Sequence, residues 1–509
     1  MMGATPPNIL FIAVDDLRPE LGCYGRSHVQ SPHIDRLAGS GVCFDRAYCQ
    51  QSICGPSRSS LLTGLRPDRL GVTDNGTWFR DVRPEVITLP QHFGAHGYET
   101  IGIGKVFHDR QNDARSWNSA AADVPRSGPQ PLLGYQDPAT RDRLTQRHRE
   151  VIADYGEDFV YSLGSGPACE AMDIPDAHYN DGWFADTAVA TLQQSRDRPL
   201  FLAVGFEKPH LPFIAPRRYW DLYDPASLPS TEAPWGPEAA PALSRHASFE
   251  LRTRSDVPKR GEIPEDQARH LRHGYLACVS YTDAQVGKLL DALDEQGLRK
   301  NTVVVLWADH GWHLGDLGIW GKATTYECAT RVPLVISAPG LATRGGRCTS
   351  PVELLDLYPT LCRLAGLPVP GGLDGTDLTP VLQDPRHVVK DAAISQFPCP
   401  ALREWAAAPL PDAMRTTFFG PLITDLEKAL AREDPERYQR EHYEHHVMGY
   451  AMRTDRHRLV LWVDRRHPLD RPHAVELYDH AADPAETVNL AGRPDTAECE
   501  AGLTRRLLD

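Results

Sequence analysis

The sequence contains no long apolar run. None of its segments reaches the roughly 18 consecutive apolar residues that a membrane-spanning helix requires. Its beginning, MMGATPPNIL, also lacks the basic stretch followed by an apolar stretch that is typical of a secretory signal peptide. We therefore expect no membrane partner and a cytoplasmic location. A signal peptide that had been removed would leave the same sequence in a periplasmic or secreted protein.

Cysteine pairs and an excess of positive charge are absent as well. The 11 cysteines are scattered without a C-x-x-C pair, which argues against a zinc ribbon and against a small disulfide scaffold. The formal net charge of -14 at pH 7 argues against broad contact with nucleic acid or anionic membranes. An anionic ligand would therefore have to meet a local cluster of basic side chains or a metal ion.

Five apolar runs of strand length are present, separated by segments with helical periodicity. They are NILFIAV (8–14), YETIGIG (98–104), PLFLAVGF (199–206), TVVVLWA (302–308) and VPLVISA (332–338). Continuous rather than alternating runs indicate strands that are buried on both faces. The alternation of strands and helices predicts an α/β domain at 1–385, with a doubly wound sheet and helices on both of its faces. Residues 110–180, rich in Pro, Gly and Asp, predict long loops.

The composition changes near residue 386, and we expect a smaller C-terminal domain at 386–509. The segments YAMRTDRHRLVLWVD and HAVELYDHAADPAETVNLAG predict short strands of an antiparallel sheet in an α+β unit. A segment dense in mixed charge, at about 402–447, predicts an exposed helical hairpin inserted into this domain. This insertion would be an oligomer contact or a lid over a site, and the oligomeric state stays open.

Four of the five runs are followed by side chains that can perform chemistry. These are Asp15 and Asp16 after the first run, Lys105 and His108 after the second, His210 after the third, and Asp309 and His310 after the fourth. Ligands of an open parallel sheet bind beyond the carboxyl ends of its strands, so we expect these groups to share one site. Carboxylates that converge on one point repel unless a cation neutralises them, which indicates a hard divalent metal ion. His310 leaves the identity of that metal open.

The segment QSICGPSRSSLLTG, residues 51–64, predicts a short helix with Pro56 in its first turn and Gly64 at its end. Cys54 then lies where helix N–H groups favour an anion, with Arg58 at the same end. A thiolate phosphatase loop needs the spacing C-x5-R, whereas this segment has C-x3-R. A disulfide lacks an obvious partner, and an inert buried cysteine would leave Arg58 and the serines unexplained.

CGPSR followed by LLTG resembles the C-x-P-S-R-x-x-x-L-T-G signature of type I sulfatases, in which the cysteine is oxidised to Cα-formylglycine. Further segments are similar to the iduronate-2-sulfatase branch of that family, in the same order and over almost the whole chain. They are VDDLRPELGCYG, SPHIDRLA, GKVFH, AVGFEKPHLPF, SYTDAQVGKLLDALD, DHGWHLG and SQFP. The resemblance implies an alkaline-phosphatase-like fold with a mixed sheet, a large catalytic α/β domain and a smaller C-terminal domain.

The resemblance also implies a role for each site residue. The metal ion would be Ca²⁺, with Mg²⁺ or Mn²⁺ as alternatives, and its ligands would be Asp15, Asp16, Asp309, His310 and the formylglycine made from Cys54. The catalytic residues would be Cys54, Arg58, Lys105, His108, His210 and Lys322. Among them, His210 and Lys322 would face the sulfate and the leaving oxygen. A formylglycine-generating enzyme would be a partner during maturation.

The activity implied by this resemblance is hydrolysis of a sulfate monoester. The branch suggests the 2-O-sulfate of a uronic acid, but IWGKATTYE departs from the branch beyond Lys322, so a small alkyl or aryl sulfate is an alternative. Trp78, Arg80 and Trp312 are candidates to line the substrate pocket, and ordinary core packing is the other interpretation of the aromatic residues. Two rival functions stay open: a phosphodiesterase or phosphonate monoester hydrolase of the same superfamily, and a silent binding protein with an unmodified Cys54.

Overall fold

The computed structural model of the chain describes residues 6–108, 111–341, 343–399, 402–403 and 407–508. Its central sheet has seven strands: β1 (Asn8–Val14), β2 (Val42–Phe44), β3 (Glu99–Gly104), β4 (Leu200–Phe206), β5 (Thr302–Ala308), β6 (Leu334–Ser337) and β7 (Gly346–Cys348). The strand order is β7-β2-β6-β5-β1-β4-β3. Only β6 in this sheet runs against its neighbours, because it pairs antiparallel with both β5 and β2. The predicted doubly wound mixed sheet is confirmed.

The longer helices lie around this sheet and around the C-terminal sheet. They are α1 (Pro32–Ser40), α2 (Cys54–Thr63), α3 (Leu89–Ala95), α4 (Pro138–Asp154), α5 (Asn180–Leu192), α6 (Glu265–Glu295), α7 (Leu357–Leu364), α8 (Phe419–Glu433), α9 (Arg440–His446) and α10 (Ala497–Leu508). Every residue of β1, β4 and β5 is buried apart from the half-buried Asn8, so both faces of the sheet are covered. Within the described ranges, no helix has both the length and the apolar character that crossing a bilayer would need.

Several short elements connect the longer ones. The short helices are Pro67–Leu70, Phe79–Val82, Val160–Leu163, Arg217–Trp220, Phe249–Arg252, Glu327–Thr330 and Thr379–Gln383. The small sheets pair Trp320–Gly321 with His313–Leu314, Cys169–Met172 with Phe213–Pro216, and Ala47–Tyr48 with both Arg331–Val332 and Val352–Glu353.

The expectation of long loops throughout 110–180 is wrong, because α4 lies in that segment. Its start is well defined: Asp137 accepts a hydrogen bond from the N–H of Thr140 at 2.9 Å, and Pro138 occupies the first helical position. Only Thr140, Leu144 and Val151 of this helix are buried. Such a narrow apolar stripe gives almost no periodic signal in the sequence.

The C-terminal region forms a four-stranded sheet of β8 (Ala392–Pro398), β9 (Val447–Thr454), β10 (His457–Asp464) and β11 (Ala474–Asp479), paired antiparallel in chain order. Successive residues of β10 point to opposite faces. Leu461 packs in a cluster with Leu503 of α10, whereas Trp462 packs in a cluster with Ile423 of α8. The predicted small antiparallel unit is therefore confirmed, with helices on both of its faces.

The charged insertion contains two helices, α8 and α9, but it is not simply exposed. α8 buries Ile423, Leu426 and Leu430 in a cluster that also contains Phe249 and Trp462. The helix is therefore amphipathic, with its charged residues on the outer side. The expectation of an exposed hairpin is wrong for α8, because its apolar stripe is part of the protein core.

Candidate active site

The carboxyl ends of β1, β4 and β5 place three polar segments side by side. Val14, the last residue of β1, pairs with Phe206 of β4 and with Ala308 of β5. Asp15 follows β1 and Asp309 follows β5, and both continue the hydrogen bonding of the sheet. The N–H of Asp15 donates to Phe206 O at 3.2 Å, and the N–H of Asp309 donates to Val14 O at 3.3 Å. The backbone of the sheet therefore fixes the two carboxylates at one edge.

Helix α2 brings Cys54 to this edge. It begins at Cys54 and ends before Gly64, which adopts the left-handed conformation at φ 70°, as the sequence predicts. The Sγ atom of Cys54 lies 3.4 Å from Asp15 Oδ1 and 3.3 Å from His310 Nε2. All ten residues of α2 are buried, so this end of the helix is held firmly by its surroundings.

Four candidate metal ligands meet at this point. One atom each from Asp15, Cys54, Asp309 and His310 lies within 4.8 Å of all the others. Carboxylate oxygens with one imidazole nitrogen form a donor set that accepts a divalent cation. Asp16, the fifth predicted ligand, belongs to a second group with Cys54 and His210, and both of its oxygens accept hydrogen bonds from Lys322 Nζ, at 2.9 and 3.1 Å.

Buried cations pair with the carboxylates of the cluster. Arg58 Nε donates to Asp309 Oδ2 at 2.8 Å, and Arg58 Nη2 lies 3.5 Å from Asp15 Oδ1. Lys105 Nζ lies 2.5 Å from Asp15 Oδ2. These pairs relieve the repulsion between the carboxylates. Repulsion alone therefore does not require a metal ion, contrary to the argument from the sequence.

Lys105 and His108 follow strand β3 in the chain. The N–H of Lys105 donates to Gly205 O at 2.9 Å, which extends the pairing of β3 and β4 beyond the end of β3. A Cβ atom on Gly205 would lie 2.0 Å from Lys105 O, so a glycine is needed there for this close approach. His108, three residues after Lys105, is half-buried.

Burial and ion pairing change the titration of the central groups. Burial raises the pKa of Cys54 well above its ordinary value, and the charge of Asp15 adds to this, so an unmodified Cys54 is a thiol at neutral pH. Burial also acts to raise the pKa of Asp15, but Lys105 and the other nearby cations outweigh it and hold that pKa well below its ordinary value. Asp15 is therefore a carboxylate under all ordinary conditions.

His210 and Lys322 lie on the Asp16 side of Cys54. Lys322 Nζ is 3.8 Å from Cys54 Sγ, and His210 Nε2 is 4.0 Å from Asp16 Oδ2. Burial and the charge of Lys322 act to lower the pKa of His210 well below its ordinary value, whereas both of its ring nitrogens face oxygen acceptors, Nδ1 at 2.5 Å from Leu211 O and Nε2 at 3.2 Å from Glu250 Oε1. Burial acts to lower the pKa of Lys322, but Asp16 reverses this and raises it well above its ordinary value.

Two of the three predicted pocket residues have other roles. Arg80 is buried, and its guanidinium donates to both oxygens of Asp113, at 3.0 and 2.7 Å, and to two backbone carbonyl groups. Trp312 is fully buried, and Lys322 Nζ lies 5.3 Å from the centre of its ring. Arg80 is therefore held by Asp113, whereas Trp312 lies against Lys322 of the site. Trp78 is half-buried and stays a candidate.

Glu250 is the site residue that sequence reasoning missed. It lies in the short helix Phe249–Arg252, and its carboxylate is within 3.3 Å of both His210 Nε2 and Lys322 Nζ. No apolar run precedes this helix in the sequence, so the signal that found the other site residues, a polar group at the end of a strand, is absent.

Comparisons with known proteins identify the family of the chain. The Sulfatase family model matches residues 7–367. The iduronate 2-sulfatase of Mus musculus is 33% identical, over 95% of this chain and 90% of its own length. A protein solved in complex with its substrate D-glucosamine-2-N,6-O-disulfate superposes with a TM-score of 0.72 at 20% identity, covering 99% of this chain and 97% of that one.

The phosphonate monoester hydrolase of Agrobacterium radiobacter gives a TM-score of 0.70 at 22% identity, covering 99% of this chain and 95% of that one. The two solved structures share the fold of this chain. Family membership rests on matches of sequence, which are those of the family model, of the relative and of the signature around Cys54. On these grounds the chain belongs to the sulfatase family.

Proposed function

We propose that this sulfatase hydrolyses sulfate monoesters, with a hydrated Cα-formylglycine made from Cys54 as the nucleophile and a divalent cation, Ca²⁺ before Mg²⁺ or Mn²⁺, beside it. The observation that carries the proposal is the meeting of the Cys54 side chain with two carboxylates and an imidazole at one point. In such a site, the Sγ atom stands in for an oxygen of the formylglycine. The proposed substrate class is a sugar O-sulfate such as a uronate 2-O-sulfate, followed by small alkyl or aryl sulfates.

Buried basic side chains make the site suitable for an anionic ester. Its buried cations are Arg58, Lys105 and Lys322, and they lie among the carboxylates of Asp15, Asp16, Glu250 and Asp309. A divalent cation would add positive charge to this cluster and would favour binding of a sulfate monoester.

Residues of this chain supply the remaining steps of the proposed mechanism. When present, the hydrated formylglycine supplies a hydroxyl nucleophile and the metal ion supplies Lewis acidity. Arg58 and Lys105 stabilise negative charge near the Cys54 position and hold Asp15 in place. His210 or Lys322 protonates the leaving oxygen, and His108 is our candidate to accept a proton at position 54 as sulfate leaves.

The first experiment examines the state of Cys54. We expect chain produced together with a formylglycine-generating enzyme to yield a Cys54 peptide in which one oxygen replaces one sulfur and two hydrogens. The same preparation should hydrolyse an aryl sulfate and a uronate 2-O-sulfate. Cys54→Ala should fold and lose turnover, whereas the matched control Cys49→Ala, in another buried cysteine, should keep it. Full turnover by Cys54→Ala would refute the proposal.

The second experiment removes the metal ion and varies the ester. Chelation should abolish turnover and lower the Tm, because a metal ion that binds only the folded state stabilises that state. Adding Ca²⁺ should restore both turnover and Tm. Unchanged turnover and Tm after complete chelation would refute a metal at this site. A phosphonate monoester and a phosphodiester carry the same single charge, so higher kcat/KM values on them than on sulfate esters would favour that rival function.

A further inference from the structure

Glu250 forms a bridge between the two groups on the leaving-group side of the site. Its Oε1 atom lies 3.2 Å from His210 Nε2, and its Oε2 atom lies 3.3 Å from Lys322 Nζ. The residue is 2% exposed. A carboxylate that is buried without a partner is costly in free energy, and these two contacts are the ion pairs of Glu250 within the described part of the chain, where neither of its oxygens accepts a hydrogen bond.

The helix that carries Glu250 is anchored on two sides. Phe249 packs against Phe419 of α8, with ring centres 5.5 Å apart. Ser248, just before the helix, accepts a hydrogen bond at its Oγ from the N–H of Trp320, at 2.9 Å. Trp320 is two residues from Lys322 in the chain. Glu250 is thus held in a fixed position relative to the segment that carries Lys322.

Three groups surround the ammonium group of Lys322. Its Nζ atom donates hydrogen bonds to the carboxylate of Asp16, at 2.9 Å, and to Cys54 Sγ, at 3.8 Å. Glu250 Oε2 lies 3.3 Å away and attracts the ammonium group by charge, because neither Glu250 oxygen accepts a hydrogen bond from a described residue. Without Glu250, one of the two carboxylate charges that hold Lys322 beside the Cys54 position would be missing.

We propose that Glu250 is a positioning residue for the departure of the alcohol, which holds Lys322 and His210 towards the leaving oxygen of the sulfate ester. This inference rests on the proposed function. Sulfur would form a bond to the nucleophilic oxygen at position 54 as its bond to the alcohol oxygen breaks. The electron pair of the broken bond stays on the alcohol oxygen, which takes a proton from the His210–Lys322 pair. Solvent returns that proton afterwards, so the enzyme is unchanged over the cycle.

The need for a positioned proton donor depends on the leaving group. A nitrophenolate stabilises its own negative charge, whereas the alkoxide of a sugar does not and needs a proton as the bond breaks. Loss of Glu250 should therefore affect alkyl and sugar sulfates strongly and nitrophenyl sulfate weakly. A residue that merely supports the fold would affect both substrates equally, because it would change the amount of active enzyme.

The test is a leaving-group comparison on the formylglycine-containing holoenzyme. Glu250→Gln keeps the shape of the side chain and removes its charge. We expect its kcat on uronate 2-O-sulfate, or on an alkyl sulfate, to fall by about 100-fold, and its kcat on nitrophenyl sulfate by less than about fivefold. Glu250→Asp, which keeps the carboxylate, should recover part of the loss. The matched control Glu262→Gln changes an exposed glutamate and should behave as the wild type.

The possible outcomes separate the two proposals. Equal losses on both ester types, or no loss on either, would overturn the role of Glu250 while leaving the proposed function intact. Wild-type protein with verified formylglycine that cleaves neither ester would overturn the proposed function itself, and the role of Glu250 with it. If Glu250→Gln does not fold, the same comparison of aryl and alkyl sulfates is made with Glu250→Asp. Its shorter side chain should still raise the ratio of aryl to alkyl turnover, and an unchanged ratio would overturn the role of Glu250.

Discussion

Arg58 contacts both carboxylates that flank the Cys54 position. The side chain is fully buried, with its Nε atom bonded to Asp309 and its guanidinium carbon 5.7 Å from the ring centre of Trp307. Its Nη1 atom also donates to the backbone carbonyl of Lys105. The planar guanidinium can serve these partners at once because its N–H donors point in fixed directions.

Arg58→Lys should therefore not be a conservative change. Lysine keeps the charge but cannot bond to Asp309, Asp15 and the Lys105 carbonyl together. We expect kcat/KM on an aryl sulfate to fall by about 100-fold or more, together with a lower Tm. The control is Arg69→Lys at an exposed ion pair with Asp374, which should change neither quantity. Near-normal kcat/KM for Arg58→Lys would contradict this role.

At the residue scale, the sequence predicted the site residues that follow strands and missed others. Asp15, Asp309 and Lys105 directly follow β1, β5 and β3, so their positions follow from the parallel pairing of these strands. Lys322 came only from the family resemblance. Glu250 has no local signal, since its importance arises from contacts with residues 40 and 72 positions away in the chain.

Arg80 and Trp312 were predicted to line the substrate pocket, and the sequence could not show which groups their side chains contact. A pocket-lining arginine and a structural arginine look alike in a sequence, and only the position of Asp113 shows that Arg80 is structural. Trp312 follows the reactive Asp309–His310 pair closely, but its side chain packs under Lys322. Side-chain direction in an irregular segment has no period from which it could be predicted.

Among the elements, β8 is connected to the large domain by several hydrogen bonds, and some of them converge on the buried carboxylate of Glu353. Glu353 Oε1 accepts hydrogen bonds from the N–H of Ile394, in β8, at 3.0 Å and from Arg66 Nη1 at 2.8 Å. Its Oε2 atom accepts from Lys390 Nζ at 2.8 Å. Burial acts to raise the pKa of Glu353, but Arg66 and Lys390 outweigh it and lower that pKa from 4.5 to about 2.

The lowered pKa predicts a dependence of stability on pH. Glu353 stabilises the folded state fully above its ordinary pKa, and this contribution is lost as the pH falls through about 2. Glu353→Gln should lower the free energy of unfolding at pH 7 by about 3 kcal/mol, because Arg66 loses its buried ion-pair partner and Lys390 keeps only Asp356. The difference in Tm between wild type and variant should shrink from pH 7 to pH 3. A difference that stays constant over this range would contradict the assignment.

The elements with the strongest sequence signal were also the best predicted. β1 and β5 match the predicted bounds of 8–14 and 302–308, because fully buried strands form continuous apolar runs. The direction of β6 was not predictable, since a buried strand looks the same in either orientation. The helix starting at Pro138 was missed because few of its residues are buried.

At the scale of the whole molecule, the C-terminal sheet covers the segment that follows Lys322. Arg458 of β10 donates to the backbone carbonyl of Thr325, and its guanidinium lies 5.0 Å from the ring centre of Tyr326. Phe397 of β8 packs in one cluster with Ile53 and with Ala323. These two residues are the chain neighbours of Cys54 and Lys322. The site therefore depends on both predicted domains.

A chain shortened to residues 1–385 tests the predicted boundary. Because the deletion uncovers Ile53 and Ala323, we expect this fragment to aggregate in size-exclusion chromatography and to show no cooperative melting. The control fragment 1–496 lacks only α10, which packs on the outer face of the C-terminal sheet through Leu503, and should still melt cooperatively. A monomeric 1–385 fragment with a sharp melting transition would show that the large domain folds alone.

The complete burial of α2 has a consequence for the proposed conversion of Cys54 to formylglycine. Cys54 exposes 2% of its surface, and a converting enzyme would need an accessible stretch of chain around it. In the folded protein such access requires α2 to leave the core, an opening whose free energy approaches that of global unfolding. Conversion and folding would then compete in time on each new chain. A chain that folded first would keep its thiol for as long as it stayed folded, so the active fraction of a preparation would record which of the two processes was faster.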